Sequence, residues 1–281
     1  MDKHRRVGVK NLFQKEAVLI ILFSFLLYFA ATIPFSQAYN RSSAIVVMDA
    51  DEGKVLYEEN GDLKMEIAST TKILTAITVI ENNDIFARMT IPRQAVGVEG
   101  SSIYLKEGED WRVLDLLYGL MLRSGNDAAV ALAIATKGSV EEFVHLMNET
   151  ARKIGALNSN FTNPHGLHDD EHYSTALDMA KITSYALRSP IFAGICKTKT
   201  HKYEKYANNT VEKGVFYNKN KLLYTYDGAT GVKTGYTKHS GRCLVSSAEK
   251  DGRKLVCVVL NVYDTYGMTG RLFDRYFRFA H

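Results

Sequence analysis

Ser69-Thr70-Thr71-Lys72 sets a hydroxyl and an amine three residues apart. At the start of a helix this spacing stacks the two side chains on one face, a turn apart. A serine hydroxyl is a weak nucleophile and needs a base. A lysine serves as that base when burial and nearby positive potential lower its pKa, and a helix N-terminus supplies part of that potential. The pattern alone is unspecific, since about one chance match is expected in a chain of this length. Ser247-Ala248-Glu249-Lys250 is a second match. It runs off a strand-like stretch into a turn, so its side chains need not converge, and it reads as solvated hairpin.

Two further triplets carry polar chemistry. Ser124-Gly125-Asn126 falls between two helical stretches, where a short turn exposes a hydroxyl and an amide; ordinary capping of the second helix is the bland alternative. Lys233-Thr234-Gly235 lies in a strand-like segment. A strand edge with a cation, a hydroxyl and a glycine suits an extended peptide and its carboxylate, the glycine allowing close approach of ligand backbone. An exposed strand-end lysine is its alternative.

In this order and spacing the three triplets resemble the signature of penicillin-binding proteins and serine β-lactamases. Gly100-Ser101-Ser102-Ile103, Leu116–Leu120, Asn163-Pro164-His165-Gly166-Leu167, His172–Ala176 and Asn218–Leu223 extend the likeness. From about Ser43 to Asp264 the chain is similar to the serine D-alanyl-D-alanine carboxypeptidases, the low-molecular-mass penicillin-binding proteins of peptidase family S11. The resemblance implies that Ser69 attacks the carbonyl of the penultimate D-Ala and that Lys72 takes its proton. Ser124 would relay a proton to the leaving amine, Asn126 would hold substrate or Lys72, and Lys233 and Thr234 would receive the terminal carboxylate. The amide of Ser69 and one from the strand after Lys233 would form the oxyanion hole. The implied partners are peptidoglycan stem peptides ending in D-Ala-D-Ala and, as covalent inhibitors, β-lactams; no cofactor is implied.

The elements that must position these residues follow from periodicity. Ser43–Asp49 and Lys54–Glu58 flank Asp51-Glu52-Gly53 as a hairpin. Thr70–Ile80 has helical spacing, with Ile73, Ile77 and Ile80 on one face. Asp110 is the expected N-cap of a helix over Trp111–Arg123. Helices are predicted over 127–136, 141–154, 175–187 and 270–279. Strands are predicted over 211–217, 231–234, 241–248 and 254–261. The order predicts an α+β fold, β-lactamase/transpeptidase-like. An antiparallel sheet built from both chain ends is flanked by helices, with an all-helical subdomain inserted. A two-residue turn at Asp251-Gly252 sets Cys243 opposite Leu260 and turns Cys257 to the other face, so Cys196, Cys243 and Cys257 are expected as free, buried thiols.

The chain has 281 residues, 46% of them apolar and 23% charged, the balance of a folded protein. Of its net charge of +4, most sits near the N-terminus, so the folded part is nearly neutral and carries no nucleic-acid footprint. Lys3, Arg5, Arg6, Lys10 and Lys15 precede an apolar run from Ala17 to Phe35, and Ser36-Gln37-Ala38 has small residues where a signal peptidase reads. Residues 1–38 are expected as a signal peptide, or an uncleaved anchor, and 39–281 as an extracytoplasmic penicillin-binding carboxypeptidase domain. Many relatives continue into a β-rich domain and an anchoring helix beyond the point where this sequence ends, so the N-terminal segment is the expected membrane contact. Tyr236 stands where some relatives carry His.

His165, His168 and His172 lie close together beside Asp169, Asp170 and Glu171, which suggests a metal site. Gly166 and Asn163-Pro164 place them in a loop, the resemblance accounts for His165 and His172, and no metal is expected. Lys197–Lys221, rich in Lys and Tyr, reads as a solvated hairpin rather than a surface for anionic wall polymers. A class A β-lactamase would carry a Glu-x-x-Leu-Asn pattern to activate water, but at Leu157-Asn158 the position of that Glu holds Ile154. A non-enzymatic β-lactam sensor would need a signalling domain, for which the stretch before the apolar run leaves no room.

Overall fold

The computed structural model describes residues 42–208 and 210–278. The expected export segment, residues 1–38, lies outside them. Among the described residues, no helix is long and apolar enough to cross a membrane.

The alternating apolar residues at both chain ends build one antiparallel sheet. Strands β1 (Ala44–Asp49) and β2 (Val55–Glu59) form the N-terminal hairpin. Strands β7 (Ala229–Thr237), β8 (Gly241–Lys250) and β9 (Arg253–Leu260) come from the other end. The sheet order is β2-β1-β9-β8-β7. Because side chains alternate across a strand, one β1 set (Ala44, Val46, Met48) joins the main core while Ile45 and Val47 enter a second cluster. Both faces are therefore buried. Helix α8 (Thr265–Arg278) covers the second face through Leu272 and Phe273. It begins five residues before the predicted start at Gly270.

The β8–β9 register is the expected one. Lys250 pairs with Arg253 across a two-residue turn, and Leu244 faces Val259. Cys243 lies in the main core and Cys257 in the second cluster, so they point to opposite faces. All three cysteines are free and buried.

Helix α1 (Lys72–Asn82) is the axis of the other half. A 3-10 turn, Ala68–Thr71, leads into it. Its residues from Lys72 to Val79 are all buried, so it is enclosed rather than one-sided as its periodicity suggested. Around it pack α2 (Val113–Arg123), α3 (Asn126–Lys137), α4 (Val140–Ile154) and α5 (Ala176–Ala186). Side-chain caps fix two of their starts: Ser139 accepts from the Glu142 amide, and Thr175 from the Asp178 amide. Helix α6 (Pro190–Lys197) was not predicted, because Pro190 reads as a stop for the preceding helix. It is instead a first-turn proline behind the Ser189 cap.

The α+β class and the sheet from both chain ends hold, but the inserted block is not helical throughout. A second antiparallel sheet, β3 (Arg88–Thr90), β4 (Asp110–Arg112), β5 (Thr200–Ala207) and β6 (Thr210–Tyr217), accompanies it. Asp110 is therefore not an N-cap. It sits in β4, where its carboxylate accepts from Arg88, and α2 starts three residues later. The β5–β6 hairpin fills the Lys- and Tyr-rich stretch as expected. Tyr203 and Phe216 stack with Trp111 beneath it. A single turn, α7 (Leu222–Thr225), leads back to β7.

Candidate active site

The turn that carries Ser69 is held from two sides by glycines. Ala68 has φ +47°, left-handed for a residue with a Cβ. Gly166 (φ +83°) lies so close that a Cβ there would stand 1.9 Å from the Ala68 carbonyl oxygen. At Gly235 in β7 a Cβ would meet the Ile67 carbonyl oxygen at 3.1 Å and the Ser69 amide nitrogen at 3.2 Å. The close approach that Gly235 allows is therefore by the protein's own nucleophile turn, a role its sequence context did not reveal.

Lys72 opens α1 with its side chain fully buried. Its Nζ lies 3.0 Å from Ser69 Oγ, 2.7 Å from Asn126 Oδ1 and 2.6 Å from the His165 carbonyl oxygen. A charged ammonium has three donors and no lone pair. The neutral amine has two donors and one lone pair. The two carbonyl oxygens take both N–H bonds, which turns the lone pair toward the Ser69 hydroxyl. Burial pushes the Lys72 pKa well below the ordinary lysine value, and the charges of Lys233 and Lys219 push it the same way, against the opposing pull of Asp127.

Asn126 is the first residue of α3 and is held as well as holding. Its Nδ2 donates to the Glu99 carbonyl at 2.6 Å, and its amide donates to the Ser101 carbonyl at 2.7 Å. Gly100 (φ +88°) makes room, since a Cβ would come 2.7 Å from Asn126 Nδ2. The buried Asp127 accepts from the Ser102 hydroxyl and the amides of Ile103 and Leu105, fixing the loop over α3. Ser124 is the buried C-cap of α2, in left-handed conformation (φ 64°, ψ 31°), and the chain turns there into α3.

Lys233 and Thr234 sit in β7, with Lys233 buried and its Nζ donating to the Thr234 carbonyl at 3.0 Å. Burial, reinforced by Lys219, lowers the Lys233 pKa to about 7. Lys219 is itself lowered by burial and by Arg123. It is a third cation acting on the site, and its sequence context did not single it out. The structure thus joins Ser69, Lys72 and Asn126 by direct hydrogen bonds, and brings β7 against the same turn.

The three loop histidines do not converge. His172 is buried; the Thr162 amide donates to its Nδ1 at 3.1 Å, so its Nε2–H donates to Thr71 Oγ1 at 2.8 Å. Burial lowers its pKa to about 4, keeping it neutral. His165 is lowered to about 3 by burial and by Lys72. Its Nδ1 accepts from the Leu167 amide, while its carbonyl serves Lys72. His168 turns outward to Glu66. The second Ser-x-x-Lys string is also separate: Ser247 is buried in β8 beside Thr230, and the Lys250 ammonium lies over the Tyr226 ring. Leu157 is solvent-exposed, and a further Leu-Asn pair, Leu260-Asn261, has Cys257 three residues before the leucine.

The profile of the Peptidase S11 family, D-alanyl-D-alanine carboxypeptidase, matches residues 31–264. The D-alanyl-D-alanine carboxypeptidase of Streptomyces sp. (strain K15) is 34% identical over 232 residues, covering 76% of this chain and 78% of that protein. The crystal structure of the Streptomyces K15 DD-transpeptidase superposes with a TM-score of 0.74 at 33% identity, covering 77% of this chain and 88% of that one. The chain belongs to the Peptidase S11 family. D-alanyl-D-alanine carboxypeptidase DacF of Bacillus subtilis (strain 168) is 38% identical over 230 residues, 80% of this chain but 58% of that protein. The chain thus spans little more than half the length of that relative.

Proposed function

We propose that this protein is a serine D-alanyl-D-alanine carboxypeptidase acting outside the cytoplasmic membrane on peptidoglycan stem peptides. The observation that carries the reading is the buried Lys72 amine, with two carbonyl acceptors and one direction left for Ser69. Membership of the family supports the substrate class.

The peptide lies along β7, with its terminal carboxylate at Lys233 and Thr234. Ser69 Oγ attacks the penultimate D-Ala carbonyl as Lys72 takes the hydroxyl proton. The Ser69 amide and an amide of β7 after Lys233 face the developing oxyanion. Collapse breaks the C–N bond, and Ser124 relays the proton from Lys72 to the departing amine. Free D-Ala leaves and the shortened peptide remains as an ester on Ser69. Water enters from the side D-Ala vacated and attacks the ester carbonyl as Lys72, through Ser124, takes its proton; the ester C–O bond breaks, the proton passes from Lys72 to Ser69 Oγ, and the shortened peptide leaves as its carboxylic acid. β-Lactams enter the same acylation step. Residues 1–38 direct export or anchor the chain, and 39–281 form the enzymatic domain. The test is release of D-Ala by the full chain from a peptide ending in D-Ala-D-Ala. The wild type and Ser247→Ala should release it and Ser69→Ala should not; release by Ser69→Ala would reject the reading.

A further inference from the structure

Glu66, His168 and His239 are far apart in the sequence but meet beside the nucleophile turn. Glu66 precedes Ser69 by three residues, and His168 follows His165, whose carbonyl serves Lys72. His239 lies in the turn between β7 and β8. One ligating atom from each of the three lies within 4.8 Å of the others. Both imidazole Nδ1 atoms face the same carboxylate oxygen, Glu66 Oε1, at 2.9 Å from His168 and 3.7 Å from His239. The two rings are stacked, with centroids 4.0 Å apart and planes inclined by 25°.

A tetrahedral ion with bonds of about 2.0–2.1 Å sets its donors about 3.3 Å apart. The two separations from Glu66 bracket that value, and rotation of the two exposed, stacked rings turns both Nδ1 lone pairs onto one ion. The His168 Nε2 faces Asp170 Oδ1 at 3.7 Å, and a carboxylate behind a histidine orients a metal-bound imidazole. Two imidazoles and a carboxylate suit a borderline ion of the zinc class and not the all-oxygen preference of magnesium or calcium. The side chains of His168 and His239 are 41% and 48% exposed, which gives an ion access and leaves a fourth position open to solvent.

We infer that Glu66, His168 and His239 form a binding site for a zinc-class divalent cation. The ion ties together the approach to Ser69, the loop that carries His165, and the β7–β8 turn. It stands apart from Lys72 and takes no part in the acyl transfer, so the inference is independent of the proposed activity.

The test uses the untagged full chain, stripped with chelator and titrated calorimetrically with zinc chloride and, separately, magnesium chloride. One equivalent of zinc should bind in the micromolar range or tighter, and magnesium should not. Zinc should raise Tm, because binding to the folded state alone stabilises it. His168→Ala and His239→Ala should each lose about 100-fold in zinc affinity, and the Tm rise with it, since even outer partners of metal ligands are worth 10–100-fold. His145→Ala, at an exposed histidine on α4, should bind like the wild type. Metal-free melting curves of the variants establish that they fold. Cobalt(II) in the wild type should show the visible bands of a four-coordinate N/O site. No zinc uptake by the wild type, or an isotherm unchanged in both histidine variants, overturns the inference.

Discussion

Gly166→Ala separates backbone strain from damage to the site. The alanine must hold φ +83°, which costs about 1–2 kcal/mol for a residue with a Cβ. Its Cβ would also stand 1.9 Å from the Ala68 carbonyl oxygen, so the loop and the nucleophile turn must part by about 1 Å. That displacement moves the His165 carbonyl off Lys72 and Ala68 away from its place before Ser69. A misplacement of about 1 Å costs about 10²-fold in rate. Gly155→Ala is the control: φ is +86° and nothing lies within 4 Å of the added Cβ. Gly155→Ala should lose about 1–2 kcal/mol in denaturant melts, and Gly166→Ala about 1–3 kcal/mol more, the cost of the clash. Only Gly166→Ala should also lose about 100-fold in the rate of covalent labelling by penicillin. Equal labelling rates in the two variants would refute the claim that this glycine positions the nucleophile turn.

Three further outcomes are expected. Folded Lys72→Arg should label at least about 10²-fold more slowly than wild type, because arginine cannot be deprotonated in a protein; near-normal labelling would make Lys72 a purely electrostatic partner. For a substrate with a free carboxylate, kcat/KM should fall as pH rises through about 7, where Lys233 loses the proton that binds the carboxylate. The carboxamide analogue should show no such alkaline limb while sharing the acid limb set by protonation of Lys72, and identical profiles for both would remove Lys233 from carboxylate binding. The penicilloyl adduct on Ser69 should persist, because the tethered leaving amine occupies the side from which water enters. Without a second base, hydrolysis slows by about 10²–10⁴-fold; turnover within seconds in intact-protein mass spectra would mark a β-lactamase.

The sequence showed what side-chain type and periodicity encode. The pairing of Ser69 with Lys72, the two-residue turn at Asp251-Gly252 and the opposite facing of Cys243 and Cys257 were all legible. Contacts made by backbone were not. No residue type marks the His165 carbonyl as an acceptor for Lys72, and nothing around Gly235 says that the chain approaching it is the chain itself. Asp110 looked like a cap because its strand is set by pairing with β3, where Arg88 reaches its carboxylate, and with the distant β5. Lys219 was hidden for a similar reason, since its effect on Lys72 and Lys233 is through space. Grouping histidines by sequence proximity joined His168 to His165 and His172, whereas the fold sets it against Glu66 and His239.

Acylation requires that Lys72 be a neutral amine when it meets the Ser69 hydroxyl. Lysine labelled with ¹³C at Cε, with the Lys72 signal identified by its loss in Lys72→Arg, reports that charge directly in a pH titration. Lys72 should titrate far below the ordinary lysine value, with the neutral amine dominant where the enzyme acylates. A Lys72 signal that titrates near about 10.4, like a solvated lysine, would contradict it.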